Sequence, residues 1–316
     1  MNYKEFLDEV KRNILEFMPA EYETAAVRLD GNMKNNNVVK HGISIHQTDE
    51  IITPILYLEE YFESYENGAS LESVFTSIAN EYLKNTIKEP AFNMESITDY
   101  EKAKERITTK VVAVKHNKSL LSDRPFTKLD DLAVVYQIEL KNSELGQATI
   151  PINHQMMERW GVTTNDIHEL AINNTERSNP STLMALESVL FGTEENFLEP
   201  ENSYERCSML VLTNENKLGG AAALANSDIL SKVAQVIDDS FYILPSSVQE
   251  VLVIPKEMAK ERGMTPKMLG EMVREVNANE VSKEEQLSDH VYQFDKKTKS
   301  LETVKASIEK KKDLER

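Results

Sequence analysis

The chain has 316 residues, 40% of them hydrophobic and 28% charged, and a formal charge of −17. A chain of this length supports two domains or one large one, and it can close a core without staples. The charge argues against nucleic-acid binding through a basic face, and a single cysteine, Cys207, excludes an internal disulfide framework and any cysteine-based zinc site.

Apolar runs are short. Gly219 to Ala225, among the longest, falls far below the roughly 18 residues of a membrane span. The N-terminal stretch is amphipathic and of mixed charge, so no signal peptide is expected and the protein is read as cytoplasmic. Cys207 stands beside Met209-Leu210-Val211-Leu212 and is expected to be a buried structural thiol.

Residues 2–17 place Tyr3, Phe6, Leu7, Val10, Ile14 and Phe17 at helical spacing, and Pro19 ends the helix. Two strands are predicted over 24–29 and 38–46, joined by an asparagine-rich turn. Alternation sends His41 and His46 to opposite faces of the second strand, which disfavours a metal site between them. A helical hairpin follows. Leu58, Tyr61, Phe62 and Tyr65 line its first arm, Gly68 stops that arm, and Ser70 caps a second from Leu71 to Leu83. Glu59, Glu63 and Glu66 at helical spacing read as a solvated face. Strands over 110–115, 132–140 and 147–152 are expected to pair as a meander.

A domain boundary is placed at 151–153, giving domains of 1–150 and 151–304 and a charged tail of 305–316. Beyond it come a short helix ended by Gly161, a helix over 163–176 and a third helical run over 182–191. A strand over 207–213 is expected to return through small residues 219–223. A helix then runs to Asp238, two strand-like runs flank Pro245-Ser246-Ser247, and Thr265-Pro266 opens a long helix. A hairpin over 290–304 closes the pattern.

Few stretches announce chemistry. His168-Glu169 begins like the zinc-protease motif H-E-x-x-H, but position 172 is Ile. No phosphate-binding glycine loop and no G-x-S-x-G elbow occurs. Ser288-Asp289-His290 holds the three residue types of a hydrolase triad, yet neighbours on a strand point apart and cannot form a relay. The break at Pro245-Ser246-Ser247 is the principal candidate. Two hydroxyls stand where a strand ends, and the carboxylate of Glu250 three residues on could answer them. The competing reading is a turn held by serine-to-backbone bonds, with Glu250 on the outer face. Asn173 and Asn174, polar near a helix end, and Asp289 are further candidates.

Six segments carry a resemblance: KNNNVVKHGISI, TPILYLEEYFESYENG, AINNT after WGVTTNDIHEL, MLVLTNENKLGGAAAL, FYILPSSVQEVLVIP and LSDHVYQFD. They lie between Lys34 and Asp295, and with them the chain resembles, over nearly its whole length from Met1 to about Asp295, an uncharacterised bacterial family, domain of unknown function number 5688. The resemblance implies a protein that travels with mobile elements of anaerobic gut bacteria and names no activity. It also implies histidine where this chain has Gln249, a departure that puts a metal or acid–base role at that position in doubt.

An α+β protein is therefore expected. An antiparallel sheet and the helical hairpin should form the N-terminal half, and a second sheet packed by helices the C-terminal half. Three functions are carried forward. The first is an interaction factor whose acidic surface binds a protein partner. The second is a small-ligand binder or enzyme with its site at Ser246, Ser247 and Glu250. The third is a nucleic-acid mimic, which charges of both signs spread along the chain disfavour. No cofactor and no metal are expected, nor a membrane or direct nucleic-acid contact.

Overall fold

The computed structural model describes residues 1–47, 53–86, 95–142, 146–192, 195–204, 206–207, 209–245 and 247–304. By contact the chain divides into two compact units, Met1–Ser96 with Leu140–Ala148 and Ile97–Glu139 with Thr149–Arg316. Each builds on its own antiparallel pairing, and the fold is α+β.

The first unit opens with α1 (Tyr3–Asn13). Asn2 accepts the Glu5 N–H at 3.0 Å and Glu5 takes the Asn2 N–H at 2.9 Å, a reciprocal cap that satisfies two orphan donors. A three-stranded sheet follows in the order β1 (Ala26–Met33), β2 (Val39–His46) and β3 (Leu56–Tyr57). The expected hairpin forms as α2 (Glu59–Glu66) and α3 (Leu71–Asn85), with Ser70 Oγ accepting the Ser73 N–H at 3.2 Å. Phe6 and Val10 of α1, Ile43 and Ile45 of β2, and Val74, Phe75 and Ile78 of α3 form one buried core. Tyr82 fastens α3 to β2: its hydroxyl accepts the Ile45 N–H at 2.7 Å and donates to the Ile45 carbonyl at 2.9 Å.

Glu59 departs from the expected solvated face. Its Oε1 accepts the Tyr3 hydroxyl at 2.9 Å and the His41 N–H at 2.7 Å, because it stands in the first turn of α2 beside an open backbone donor of β2. Glu60, Glu63 and Glu66 are exposed.

The chain continues through α4 (Glu95–Thr98) and α5 (Tyr100–Ala103) into β4 (Ile107–Ala113), α6 (Lys118–Asp123), β5 (Phe126–Leu129), β6 (Leu132–Asn142) and β7 (Gly146–Pro151). β6 pairs antiparallel with β4 and β5 and also pairs with β7. At four residues β5 is too short to show a period, so the sequence did not mark it. Its two-residue connection to β6 is Asp130-Asp131, with Asp130 at φ 55°, a left-handed value that aspartate tolerates.

Two helices follow, α7 (His154–Trp160) and α8 (Thr164–Ser178), the second opened by a Thr163–Asp166 cap. Then come β8 (Ser181–Ala185), α9 (Leu186–Phe191), β9 (Leu210–Asn214), α10 (Ser227–Val236), β10 (Phe241–Leu244), β11 (Val251–Pro255), α11 (Lys256–Glu261), α12 (Pro266–Asn279), β12 (Tyr292–Asp295) and β13 (Ser300–Thr303). The strands form a six-stranded antiparallel sheet in the order β13–β12–β10–β11–β9–β8. Leu269 and Val273 of α12 are buried against Leu244, Ile254 and Val291.

Three expectations are corrected here. Residues 182–191 are a strand and a short helix in place of one helix, because pairing of Ser181–Ala185 with β9 overrides helical propensity. In place of a return strand over 219–223, Gly220–Ala225 form a 3-10 turn preceded by Gly219, which is left-handed at φ 67°. Cys207 lies outside β9 and is half-buried. Burial pushes its thiol pKa up, with Glu187 adding to it, which keeps the unreactive thiol form.

Candidate functional site

The break between β10 and β11 is a socket for a later part of the chain. The Val248 N–H donates to the Glu285 carbonyl at 2.8 Å, the Ser288 N–H donates to the Pro245 carbonyl at 3.0 Å, and Ser247 bridges Gln286. From the other side, Asn277 near the end of α12 donates its amide to the Ser288 carbonyl at 3.0 Å and to Asp289 Oδ1 at 2.9 Å. Residues 285–289 are thus held along the chain that leads into β12.

The predicted residues take their places around that path. Ser247 is buried, and its Oγ accepts the Gln249 N–H at 2.9 Å, the serine-to-backbone turn of the competing reading. Glu250 is exposed and Asp289 is occupied with Asn277. Ser246 lies outside the described residues. The asparagines are elsewhere and apart: Asn173 is exposed on α8, while Asn174 is buried and donates to the Lys104 and Ile107 carbonyls at 2.8 and 2.9 Å. The structure therefore brings Ser247 and Asp289 to the same strap, on groups of their own backbone and neighbours.

Gln249 is the hub of the break. Its Oε1 accepts the Gly219 N–H at 2.7 Å and its Nε2 donates to Glu285 Oε1 at 3.1 Å. The Gln249 carbonyl accepts from Gly220 N–H at 2.9 Å and Thr213 Oγ1 at 2.8 Å. Gly220 is required: a Cβ there would lie 2.5 Å from that carbonyl and overlap the Thr213 hydroxyl. A polar recess beyond Gly220, lined by Thr109, Thr175, Glu176, Asn179, Ser181 and Asn214, has a volume of about 10 Å³, room for about one water.

Chemically active side chains gather one step further along the strap. Ser288 and His290, two apart on the bent chain that leads into β12, both reach Asp131 in the β5–β6 turn. His290 Nδ1 stands 2.7 Å from Asp131 Oδ2, and Ser288 Oγ donates to the same oxygen at 3.3 Å. The buried Tyr292 hydroxyl donates to Asp131 Oδ1, and Ser288 Oγ accepts the His290 N–H at 3.1 Å. Asp130, next in the turn, accepts the N–H and hydroxyl of Thr303 in β13. Those bonds from Thr303 hold the Asp130 carboxyl below the usual carboxylate range. Burial, then the bond to Asp131, pushes the Tyr292 phenol well above its ordinary value, so Tyr292 is a fixed donor.

Sequence reasoning missed Asp131, His290 and Tyr292 in this role. The i, i+2 spacing of Ser288, His290 and Tyr292 could have grouped them in the sequence, although only Tyr292 lies within β12. No such spacing points to Asp131. Rejection of a Ser-His relay agrees with the geometry, since Ser288 Oγ contacts the His290 backbone and Asp131 and not the imidazole. His168 of the truncated protease motif is tied through Nδ1 to the Tyr136 hydroxyl at 2.9 Å. Among the described residues no three His, Cys, Asp or Glu side chains gather as a metal site, and no helix is long and apolar enough to cross a membrane.

Compared with known proteins, the chain matches no curated protein and no solved structure. One family model does match, described as a family of unknown function, DUF5688, over residues 3–296. That match covers nearly the whole chain, including the strap, the break and the Asp131 turn, and the protein belongs to this family.

Proposed function

We propose that the protein is a cytoplasmic interaction factor of a bacterial mobile element and binds a basic protein partner through its acidic surface. The observation that carries this reading is the outer face of α2. Glu60, Glu63 and Glu66 are exposed at helical spacing, and none of them pairs with a cation among the described residues. Carboxylates left uncompensated in a chain of charge −17 steer basic surfaces toward them and repel nucleic acid. The chemistry of the break favours the same reading over a ligand site there. Ser247 and Gln249 spend their polar groups on the protein's own backbone and on Glu285.

The test is a pull-down from the source bacterium with wild type and the triple variant Glu60→Gln, Glu63→Gln, Glu66→Gln. A partner retained by wild type at about 50 mM salt should be lost from the variant, and from wild type at about 500 mM, where screening is complete within a few ångströms. A partner recovered equally by both proteins, or wild type that repeatedly brings down no partner, overturns the proposal.

A further inference from the structure

Neither partner binding nor the break makes use of the cluster at the β5–β6 turn. We propose that Asp131 and His290 form a proton-transfer dyad, in which His290 Nε2 is the catalytic base for attack of water on a neutral or cationic acyl ester. Three features of the geometry carry this.

First, the ring has one defined polarity. The Asp131 carboxylate, 2.7 Å from Nδ1, accepts the hydrogen bond of an Nδ1–H, which leaves Nε2 as the bare acceptor of the ring. Second, the carboxylate is fixed. Tyr292, wholly buried, donates to Oδ1, Ser288 donates to Oδ2, and Ser288 is itself oriented by the His290 N–H. Asp131, Ser288 and Tyr292 are positioning residues, the orienting arm of a base. Third, the outer nitrogen is accessible. The His290 side chain is 59% exposed while Asp131 beside it is 36% exposed, so the ring stands out from its anchor into solvent.

The surroundings select the substrate. Asp130 and Asp131 stand at the turn and Asp289 precedes the histidine, while Lys128 is close enough to act on Asp130. An anionic phosphate ester meets net repulsion there, whereas a neutral or cationic ester does not. In the step, the water oxygen bonds to the acyl carbon as its proton passes to His290 Nε2. The carbon–oxygen bond to the leaving alcohol then breaks, and the proton on Nε2 passes to that oxygen. Acid and alcohol leave, and the dyad is restored. Ser288 is not the nucleophile, because its hydroxyl lies against Asp131 and away from Nε2.

A purely structural role, in which the contact only fastens the turn to the strap, makes a different prediction. With the full chain, release of nitrophenolate from p-nitrophenyl acetate is compared for wild type, His290→Gln, Asp131→Asn and His116→Gln. His116 is an exposed histidine paired with no carboxylate among the described residues. Wild type should exceed the rate of six equivalents of free imidazole, one for each histidine. His290→Gln should lower the catalysed rate about a hundredfold, the low end of what a positioned base supplies. His116→Gln should leave it unchanged. Asp131→Asn should lower the rate likewise, and imidazole ¹⁵N shifts at a pH where the ring is neutral should show the proton moved from Nδ1 to Nε2. A folded His290→Gln that hydrolyses at the wild-type rate overturns the proposal, as does a wild type no faster than the imidazole reference. Should Asp131→Asn fail to fold, His290→Gln decides alone, since it changes only an exposed ring.

Discussion

Gln249 shows how one side chain can serve two loops. It accepts a hydrogen bond from the Gly219 N–H and donates one to Glu285, so it needs one acceptor and one donor at fixed positions. A neutral imidazole also has one of each, so a histidine could take the same place without any metal. Gln249→Ala should cost about 1–3 kcal/mol, the penalty of leaving such groups unpaired, and Gln249→His distinctly less, both read by urea unfolding. Tyr292 sets a second test at the same scale. Its folded pKa is raised by burial, so its contribution to stability is complete below the unfolded value near 10 and is lost as pH rises beyond it. Denaturation midpoints above about pH 10 should fall less steeply in Tyr292→Phe, by up to about 1.4 kcal/mol per pH unit. Equal slopes for the two proteins would contradict this assignment.

Among elements, α8 is attached by a few polar bonds as much as by its apolar face. Asn174 closes the open carbonyls of Lys104 and Ile107, and Thr175 Oγ1 accepts the Thr109 N–H at 2.8 Å. Asn174→Ala leaves two acceptors of the chain entering β4 unsatisfied and should destabilise by about 1–3 kcal/mol, whereas Asn173→Ala, on the exposed face, should stay within about 0.5 kcal/mol. Equal losses in thermal unfolding would place the two asparagines in the same environment and refute the distinction. Elements with their own period and caps were legible in the sequence: the α2–α3 hairpin from its apolar stripe and Ser70, α12 from Thr265-Pro266, and β12–β13 from the turn between them. Those decided by pairing were not. β8 carries residues that fit a helix as well, and only β9 beside it makes it a strand. The candidate cluster divides the same way. Ser288, His290 and Tyr292 are spaced two apart in the sequence, but Asp131 is 159 residues from His290 and sits in a hairpin turn that no local pattern links to β12.

For the whole molecule, charge is the dominant property. An excess of 17 negative charges repels itself in the compact state more than in the expanded one. Added sodium chloride should therefore raise the melting temperature between about 10 and 200 mM, the range over which the screening length falls from about 30 Å to below 10 Å. A melting temperature flat across that range would mean that local pairs already balance the excess. The Asp130-Asp131 turn bears on how such a chain is made. Its partners Ser288 and Thr303 lie 157 and 173 residues downstream. At about 5–20 residues per second, a ribosome that has finished the β5–β6 hairpin needs roughly 10 to 30 s more before those partners exist. Through that interval the tip of the half-made sheet carries two bare carboxylates, and a charged tip is poorly suited to pairing with the strands of another nascent chain.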